Sequence, residues 1–336
     1  MPSKRTSNSG QWPVVSRHWP LVVLCLLLLA GCRHSGEEVR FHRFDQLLFD
    51  TPADRLQAEL TAHRDEYHTD LIVFAPGSPE YMQMVNGFTT DPVMRDIYRA
   101  TDSLYRDLSG VERQLGRALN RAYRQCPSMP RVQNVYTMVT GDYDNYNNRV
   151  YSLDGTELCI ALDVYALGSF ARYQYFGMPL HVVRLCSREQ IVPDCLRCMA
   201  DMNIAWPEGD KTLLDYAIAE GKKLYFVEKC MPGIADTTLL RYTREQLDWM
   251  HDNERNVWSW LIQNKALYST DLSVLRNLIE DAPHTNAFGA SSAPRTAAYI
   301  GWQIVRAYMK KSGSTMQQLL DEADSRKILT ASGWRP

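Results

Sequence analysis

The spacing of apolar residues predicts a mostly helical chain with a short β-rich middle. Apolar side chains recur every three or four positions, as on one face of a helix, over residues 53–64, 91–108 and 111–126. Residues 132–141 and 148–168 are richer in β-branched and aromatic side chains. The turn sequences GDYDNYNN and LDGT in this region predict three strands of a small sheet.

The helical spacing then returns and continues to the C-terminus. The segments that carry it are residues 188–203, 212–232, 243–267, 296–313 and 316–324. Helices, a small sheet and a helical second half predict an α+β fold in which helix dominates. We expect one domain over residues 51–336, with N-terminal helices and sheet in 51–180 and a helical half in 181–336. The segment FHRFDQLLFD before it (residues 41–50) fits a strand or an extended lead-in.

The first 32 residues have the pattern of a bacterial lipoprotein signal. Basic residues precede an apolar run, LVVLCLLLL, whose length fits the roughly 7–15 residues of a signal peptide and not the roughly 20 of a membrane span. The sequence LAGC, ending at Cys32, forms a lipobox; an ordinary secretory signal with a chance cysteine is the alternative. We expect a signal peptide over 1–31, acylation of Cys32, and a tether over 32–50. Acyl chains such as palmitate would then hold the body at a membrane of the cell envelope, facing the periplasm or the surface.

Charge and cysteine content narrow the function classes. The formal net charge is −2, and no basic run follows the signal region, which argues against nucleic acid as a main partner. Six cysteines follow Cys32, which permits one or two disulfides without requiring any. Cys195 and Cys198 lie three apart in a predicted helix but lack the context of a redox pair or of a second zinc half-site. Core packing is the simpler interpretation for them.

The segment IVPDCLR is similar to the helix of a zincin metallopeptidase, in which HExxH supplies two zinc ligands and a general base. On that template Pro193 and Arg197 occupy the histidine positions and Asp194 that of the base. Glu220, in TLLDYAIAEGKKLYF, occupies the position of the third ligand in the gluzincin branch. Proline cannot bind a metal and arginine repels it, so the sequence excludes HExxH chemistry here. We expect Asp194 to cap the helix or to hydrogen-bond near its start.

Other interpretations of these residues stay open. Glu220 is either the relic of a ligand position or an ordinary helix carboxylate. A rebuilt metal site could draw only on His181, Asp194, Cys195, Cys198 and Glu220, whose spacing fixes no third donor. Signatures of serine hydrolases, P-loops and dinucleotide-binding turns are absent from the sequence, so we expect no enzyme activity and no cofactor.

The second half of the chain resembles the GldB-type gliding-motility lipoproteins of Bacteroidota. The resemblance rests on IVPD, on the segment from GKKLYFVEKCMP to NKALYSTD, on IGWQIVRAYMKK and on ILTASGWRP, and it covers most of residues 190–336. Members of that family also carry IVPD, which implies that the zinc loss is shared. The loop at residues 291–298 departs from the family pattern.

The resemblance implies a degenerate zincin-like peptidase fold that serves as a binding or scaffold lipoprotein of the gliding or surface machinery. Its partners would be other envelope proteins or an extended peptide in the former cleft. Aromatic residues could line such a groove, with core packing as the alternative: Tyr173, Tyr175, Phe176, Trp249, Trp258 and Trp260. A metal-dependent hydrolase with an atypical site around Asp194 and Glu220 is the rival function. A chaperone-like factor for exported proteins is a third.

Overall fold

The computed structural model describes residues 39–64, 78–143, 146–169 and 177–336. The expected signal peptide, Cys32, and the residues Tyr173, Tyr175 and Phe176 lie outside these ranges. The described residues form one compact unit.

A small mixed sheet precedes the C-terminal helices, as the sequence pattern predicts. Its strands are β1 (Phe41–Arg43), β2 (Asn134–Met138), β3 (Val150–Tyr151) and β4 (Glu157–Ala161). The order across the sheet is β1-β2-β4-β3. The strands β1, β2 and β4 run parallel, and β3 is antiparallel to β4, which leaves β3 at one edge.

Residues 41–50, which the sequence analysis assigns to the tether, belong to the folded body. Phe41 pairs with Val135 in the sheet, and its amide donates to Oε1 of Glu112 at 2.9 Å. The helix α1 (Phe44–Asp50) follows at once and buries four of its seven residues. The predicted tether is therefore too long at its C-terminal end. A three-residue strand that runs directly into a helix shows neither period for long enough to be recognised.

Four further helices precede β2. They are α2 (Ala53–Ala62), α3 (Pro79–Thr90), α4 (Pro92–Tyr105) and α5 (Ser109–Gln125). The sequence analysis predicts three of these and misses α3. Ser78 caps α3 by accepting from the amide of Tyr81, and Pro79 occupies its first turn. From the sequence alone, Ser78 and Pro79 fit the end of a loop. In the structure they begin a helix.

The predicted strand region over residues 148–168 ends early, because α6 (Leu162–Ala166) follows β4 directly. The buried carboxylate of Asp163 accepts hydrogen bonds from the amides of Thr140 at 3.1 Å and Gly141 at 2.9 Å, which tie α6 to the loop after β2. An apolar run such as LCIALDVYAL fits a buried strand and a buried helix equally well, so its period does not show where one becomes the other.

The C-terminal half is helical, and side-chain caps begin five of its nine helices. Its helices are α7 (Leu180–Leu185), α8 (Ile191–Met202), α9 (Leu213–Cys230), α10 (Asp236–Leu240), α11 (Arg244–Gln263), α12 (Leu272–Ile279), α13 (Thr296–Ser312), α14 (Met316–Asp321) and α15 (Ser325–Ser332). Thr212, Thr243 and Thr315 begin α9, α11 and α14 with complete capping boxes.

The helices α9 and α13 touch backbone to backbone. A Cβ atom placed on Gly301 would lie 1.7 Å from the carbonyl oxygen of Ala217, and one on Gly221 would lie 2.4 Å from the carbonyl of Gly301. Only glycine fits at these two positions, and their contact fixes how closely Glu220 on α9 approaches the start of α13.

Within the described ranges, no helix combines the length and the apolar character that crossing a membrane requires. The six cysteines of the described part are all free thiols, and five of them are buried.

Candidate functional site

The segment IVPDCLR forms the first two turns of α8. Pro193 is the third residue of the helix, where a proline breaks no intrahelical hydrogen bond. Pro193, Asp194 and Arg197 are all buried. No side chain caps this helix, so the expectation that Asp194 acts as a cap is wrong. Its carboxylate instead accepts hydrogen bonds from Arg197 of the same helix and from side chains of other elements.

Asp194 is buried among three arginines, of which Arg149 and Arg197 are buried and Arg241 is partly exposed. Its Oδ2 atom accepts from Nε of Arg149 at 2.6 Å and from the hydroxyl of Tyr165 at 2.9 Å. Its Oδ1 atom accepts from Nη1 of Arg197 at 2.6 Å and from Nη2 of Arg241 at 2.5 Å. Both carboxylate oxygens are therefore occupied by charge-assisted hydrogen bonds.

These contacts fix the ionisation of the cluster. Burial by itself raises the pKa of Asp194, but the three guanidiniums outweigh it and hold that pKa far below the usual range. Burial and the neighbouring Arg241 lower the pKa of Arg197 to about 9, which still leaves it charged at neutral pH. Burial and the charge of Asp194 raise the pKa of Tyr165, so its phenol remains a donor.

A second set of ion pairs continues from Arg241 to Glu220. Nη1 of Arg241 lies 3.1 Å from Oδ2 of Asp281, whose Oδ1 lies 3.5 Å from Nε of Arg295. Nη2 of Arg295 donates to Oε2 of Glu220 at 2.6 Å. Nζ of Lys223 lies 2.7 Å from Oε1 of Glu220, so this carboxylate too has a cation on each oxygen.

Lys223 and Arg295 lower the pKa of Glu220. Burial alone raises its pKa, but Lys223 and Arg295 together lower it to about 2. Burial lowers the pKa of Lys223, and the carboxylates of Glu220 and Asp201, the latter 2.7 Å from Nζ, raise it above its ordinary value. We name the connected set the charge network: Arg149, Asp194, Arg197, Asp201, Glu220, Lys223, Arg241, Asp281 and Arg295.

Two of these arginines have a left-handed backbone. Arg241, which ends α10, has φ of 60°, and Arg295, which precedes α13, has φ of 51°. In the described ranges Lys265 is the third non-glycine residue with positive φ. A left-handed conformation is unfavourable for arginine by about 1 kcal/mol or more. The ion pairs with Asp194, Asp281 and Glu220 therefore hold both backbones in place.

The charge network surrounds an open cavity of about 480 Å³, which we name the network cavity. Asp194, Arg197 and Glu220 all line it, so the fold brings three of the four zinc-site positions together, and Pro193 is not part of the lining. The edge strand supplies another wall, through residues 147–152.

The five side chains that the sequence offers for a rebuilt metal site do not form one within the described residues. The oxygens of Asp194 and Glu220 bind cations, as described above. Burial raises the pKa of Cys195 well above its ordinary value and that of Cys198 to about 11, so both are neutral thiols at neutral pH. His181 lines a separate cavity of about 250 Å³ beside Arg241. Among the residues that the structure describes, no three His, Cys, Asp or Glu side chains form a group suited to a metal ion.

Sequence reasoning missed most of the charge network. Arg149, Arg241, Asp281 and Arg295 lie in turns or at helix ends, outside any motif. Arg149 is 45 positions from Asp194, and Arg295 is 75 from Glu220. Ion pairs across such separations leave no periodic signal. A polar run such as NNR before a strand, or an arginine directly after a helix, is a weak hint at most.

The three tryptophans of α11 do not reach the network cavity. Trp249 and Trp260 pack against Phe288 at ring-centroid distances of 6.0 and 5.4 Å, and Trp258 packs against Trp334 at 5.2 Å. All three are half-buried against the main hydrophobic core. Their positions fit the alternative of core packing.

Comparison with known families gives one match. The model of the family described as gliding motility protein GldB matches residues 33–336. No curated protein and no solved structure matches the chain.

Proposed function

The chain belongs to the GldB gliding-motility family, and on that premise we propose that it is a non-catalytic binding component of the cell envelope. The family is one of gliding-motility-related lipoproteins. Our proposal adds that the body descends from a zincin-like peptidase, has no hydrolytic activity, and binds other envelope proteins through the former cleft.

One observation supports the loss of catalysis most directly. At the two carboxylates where a gluzincin template would place the base and the third ligand, cations occupy all four oxygens. A metal ion would have to displace an arginine or a lysine from each carboxylate and would meet the positive charge of Arg197 beside it. Because removing one partner of a buried ion pair is strongly unfavourable, metal binding opposes the stability of this fold.

The arrangement of elements supports the proposed ancestry. The sheet precedes α8 in the chain. Asp194 and Arg197 lie on α8 and Glu220 lies on α9, and all three line the network cavity. The glycine after Glu220 allows α9 to meet α13 backbone to backbone. The Glu-Gly pair thus serves helix packing as well as the site, which gives a reason for its retention without a metal.

Metal content tests the proposal. The full chain is purified without chelator beside the Glu220→Ala variant, and zinc is measured by mass spectrometry. We expect less than about a tenth of an equivalent in both. Close to one equivalent in the parent chain, lost in the variant, would contradict the proposal and favour a metal-dependent hydrolase.

Partner binding is tested separately in cells. A photo-crosslinking amino acid replaces Leu153, which is 64% exposed and lies next to the edge strand β3. The control position is Leu272, also 64% exposed, on α12. We expect a defined crosslinked envelope protein from position 153 and none from position 272. The same pattern of crosslinks from both positions would count against a partner at the former cleft.

A further inference from the structure

We propose that the network cavity binds an acidic segment of a partner polypeptide, extended along β3 with one carboxylate directed at the arginines. This rests on the proposed binding function and adds the chemistry of the ligand. Three features of the described residues support it: an open strand edge, an excess of buried positive charge, and two buried N–H groups without an acceptor.

The strand edge gives a place for an extended chain. β3 ends the sheet, and no other strand of the described ranges pairs with its outer side. Residues of β3 line two cavities: the network cavity, and a second one of about 430 Å³ that Leu153 and Val164 also line. Extended peptides commonly add to such edges, where main-chain hydrogen bonds give affinity and flanking pockets select side chains.

Charge balance in the network cavity favours an anion. Five cationic side chains line it: Arg149, Arg197, Lys223, Arg241 and Arg295. Four carboxylates of the charge network pair with them: Asp194, Asp201, Glu220 and Asp281. The fifth carboxylate of the lining, Glu280, is 62% exposed and lies 3.7 Å from Nε of Arg276, outside the network. The buried part of the cavity therefore carries more positive than negative charge, which burial makes unfavourable unless another anion compensates it.

Two buried donors without an acceptor also favour an anion in the network cavity. The Nε atoms of Arg197 and Arg241 are buried and have no hydrogen-bond acceptor among the described residues. Both guanidiniums bind the same oxygen of Asp194, so the two donors belong to neighbouring groups. The side chain of Arg197 is only 9% exposed. A buried donor without an acceptor is unfavourable by about 1–3 kcal/mol, which an oxyanion near these groups relieves.

The same features favour a peptide carboxylate over a phosphate. A phosphate group carries a charge of about −1.5 to −2, which exceeds the excess that remains once Asp201 is counted. The backbone edge of β3 beside the arginines can form main-chain hydrogen bonds of the sheet type only with a ligand that has peptide groups of its own.

The variant Arg241→Asn tests the proposal. Asparagine tolerates the left-handed backbone of this position and removes the guanidinium. The matched control is Lys265→Asn, which removes a cation from the left-handed residue outside the charge network. Lys223→Gln is a second test variant, because Glu220 keeps its contact with Arg295 when the lysine is lost. Thermal unfolding confirms which variants are folded.

The full chain in detergent is used to select a random displayed heptapeptide library, and the recovered peptides are sequenced. We expect Asp and Glu to be enriched with the parent chain and with Lys265→Asn, and not with Arg241→Asn or Lys223→Gln. The most enriched peptide is then titrated beside its copy with Glu replaced by Gln. One lost charge-assisted hydrogen bond predicts an affinity weaker by roughly tenfold or more.

Several results would overturn the inference: no recovered peptides, acidic content equal to that of the input, or equal enrichment with Arg241→Asn. The crosslinking experiment separates this failure from failure of the proposed function. A partner crosslinked from position 153 without any acid preference leaves the binding function standing and removes the acidic ligand. Absence of a crosslink removes the binding function itself.

Discussion

Replacing Gly301 by alanine tests the packing that positions Glu220. The new Cβ atom would lie 1.7 Å from the carbonyl oxygen of Ala217. An ordinary contact is about 3.5–4.0 Å, so α13 and α9 must separate by roughly 2 Å. Both atoms of the clash are close to rigid backbone, so no side-chain rotation relieves it.

The size of the effect follows from two opposing contributions. Overpacking of a core is unfavourable by about 1–3 kcal/mol and occasionally more, and a clash between two helix backbones lies at the upper end. Alanine is more favourable than glycine in a helix interior, which stabilises the variant by up to about 1 kcal/mol. We expect a net loss of at least about 2 kcal/mol, which lowers the midpoint of thermal unfolding by roughly 3 °C or more for a chain of this size.

The assay is thermal unfolding of the full chain, followed by circular dichroism, with Gly87→Ala as the matched control. Gly87 is also inside a helix, α3, but nothing lies within 4 Å of an added Cβ. Its substitution should raise the midpoint by a degree or two, through helix propensity alone. A Gly301→Ala midpoint at or above that of the parent chain, with the control behaving as expected, would refute the close crossing of α9 and α13.

Three further predictions concern ionisable groups. Asp194→Asn leaves three guanidiniums without their shared anion, so it should destabilise the fold by about 3–5 kcal/mol in urea unfolding; a change below 1 kcal/mol would contradict the central role of Asp194. Because the pKa of Glu220 falls from 4.5 to about 2 on folding, its stabilisation is complete above pH 4.5 and lost as pH falls towards 2. The unfolding midpoint should therefore depend less on pH between 5 and 3 in Glu220→Gln than in the parent chain. Burial lowers the pKa of Lys222 to about 8, so the folded state releases its proton before the unfolded state does. Stability relative to Lys222→Met should then rise between pH 8 and 10.5, and a flat difference would rule this out.

The sequence predicts the order of elements because helix caps and apolar spacing are local signals. The capping boxes at Thr212, Thr243 and Thr315 coincide with the predicted helix starts within a residue or two. The mixed helical and sheet architecture is confirmed at this level. The predicted helical segments leave out seven helices, namely α1, α3, α6, α7, α10, α12 and α15. All of them except α3 have eight residues or fewer, so the helical period is not visible for long enough.

The site was less accessible to sequence reasoning, for a different physical reason. The zincin template picks out Asp194, Arg197 and Glu220, and the fold brings these three to one cavity. The template does not identify the side chains that bind them. A buried carboxylate selects any cation that reaches it, and Arg149 and Arg241 reach Asp194 from segments 45 and 47 positions away. Only the folded chain determines which cations those are.

The parallel pairing of β1 with β2 constrains the order in which the body can assemble. Phe41 pairs with Val135, so the first strand waits for a partner 94 positions later in the chain. At about 5–20 residues per second, synthesis of that interval takes roughly 5–20 s. Until then α1 to α5 can form by local contacts, while β1 has no strand beside it. Closing so long a loop is entropically unfavourable before other contacts form. We therefore expect sheet formation to be a late and slow step of folding, and holding factors that bind extended segments to act on this region first.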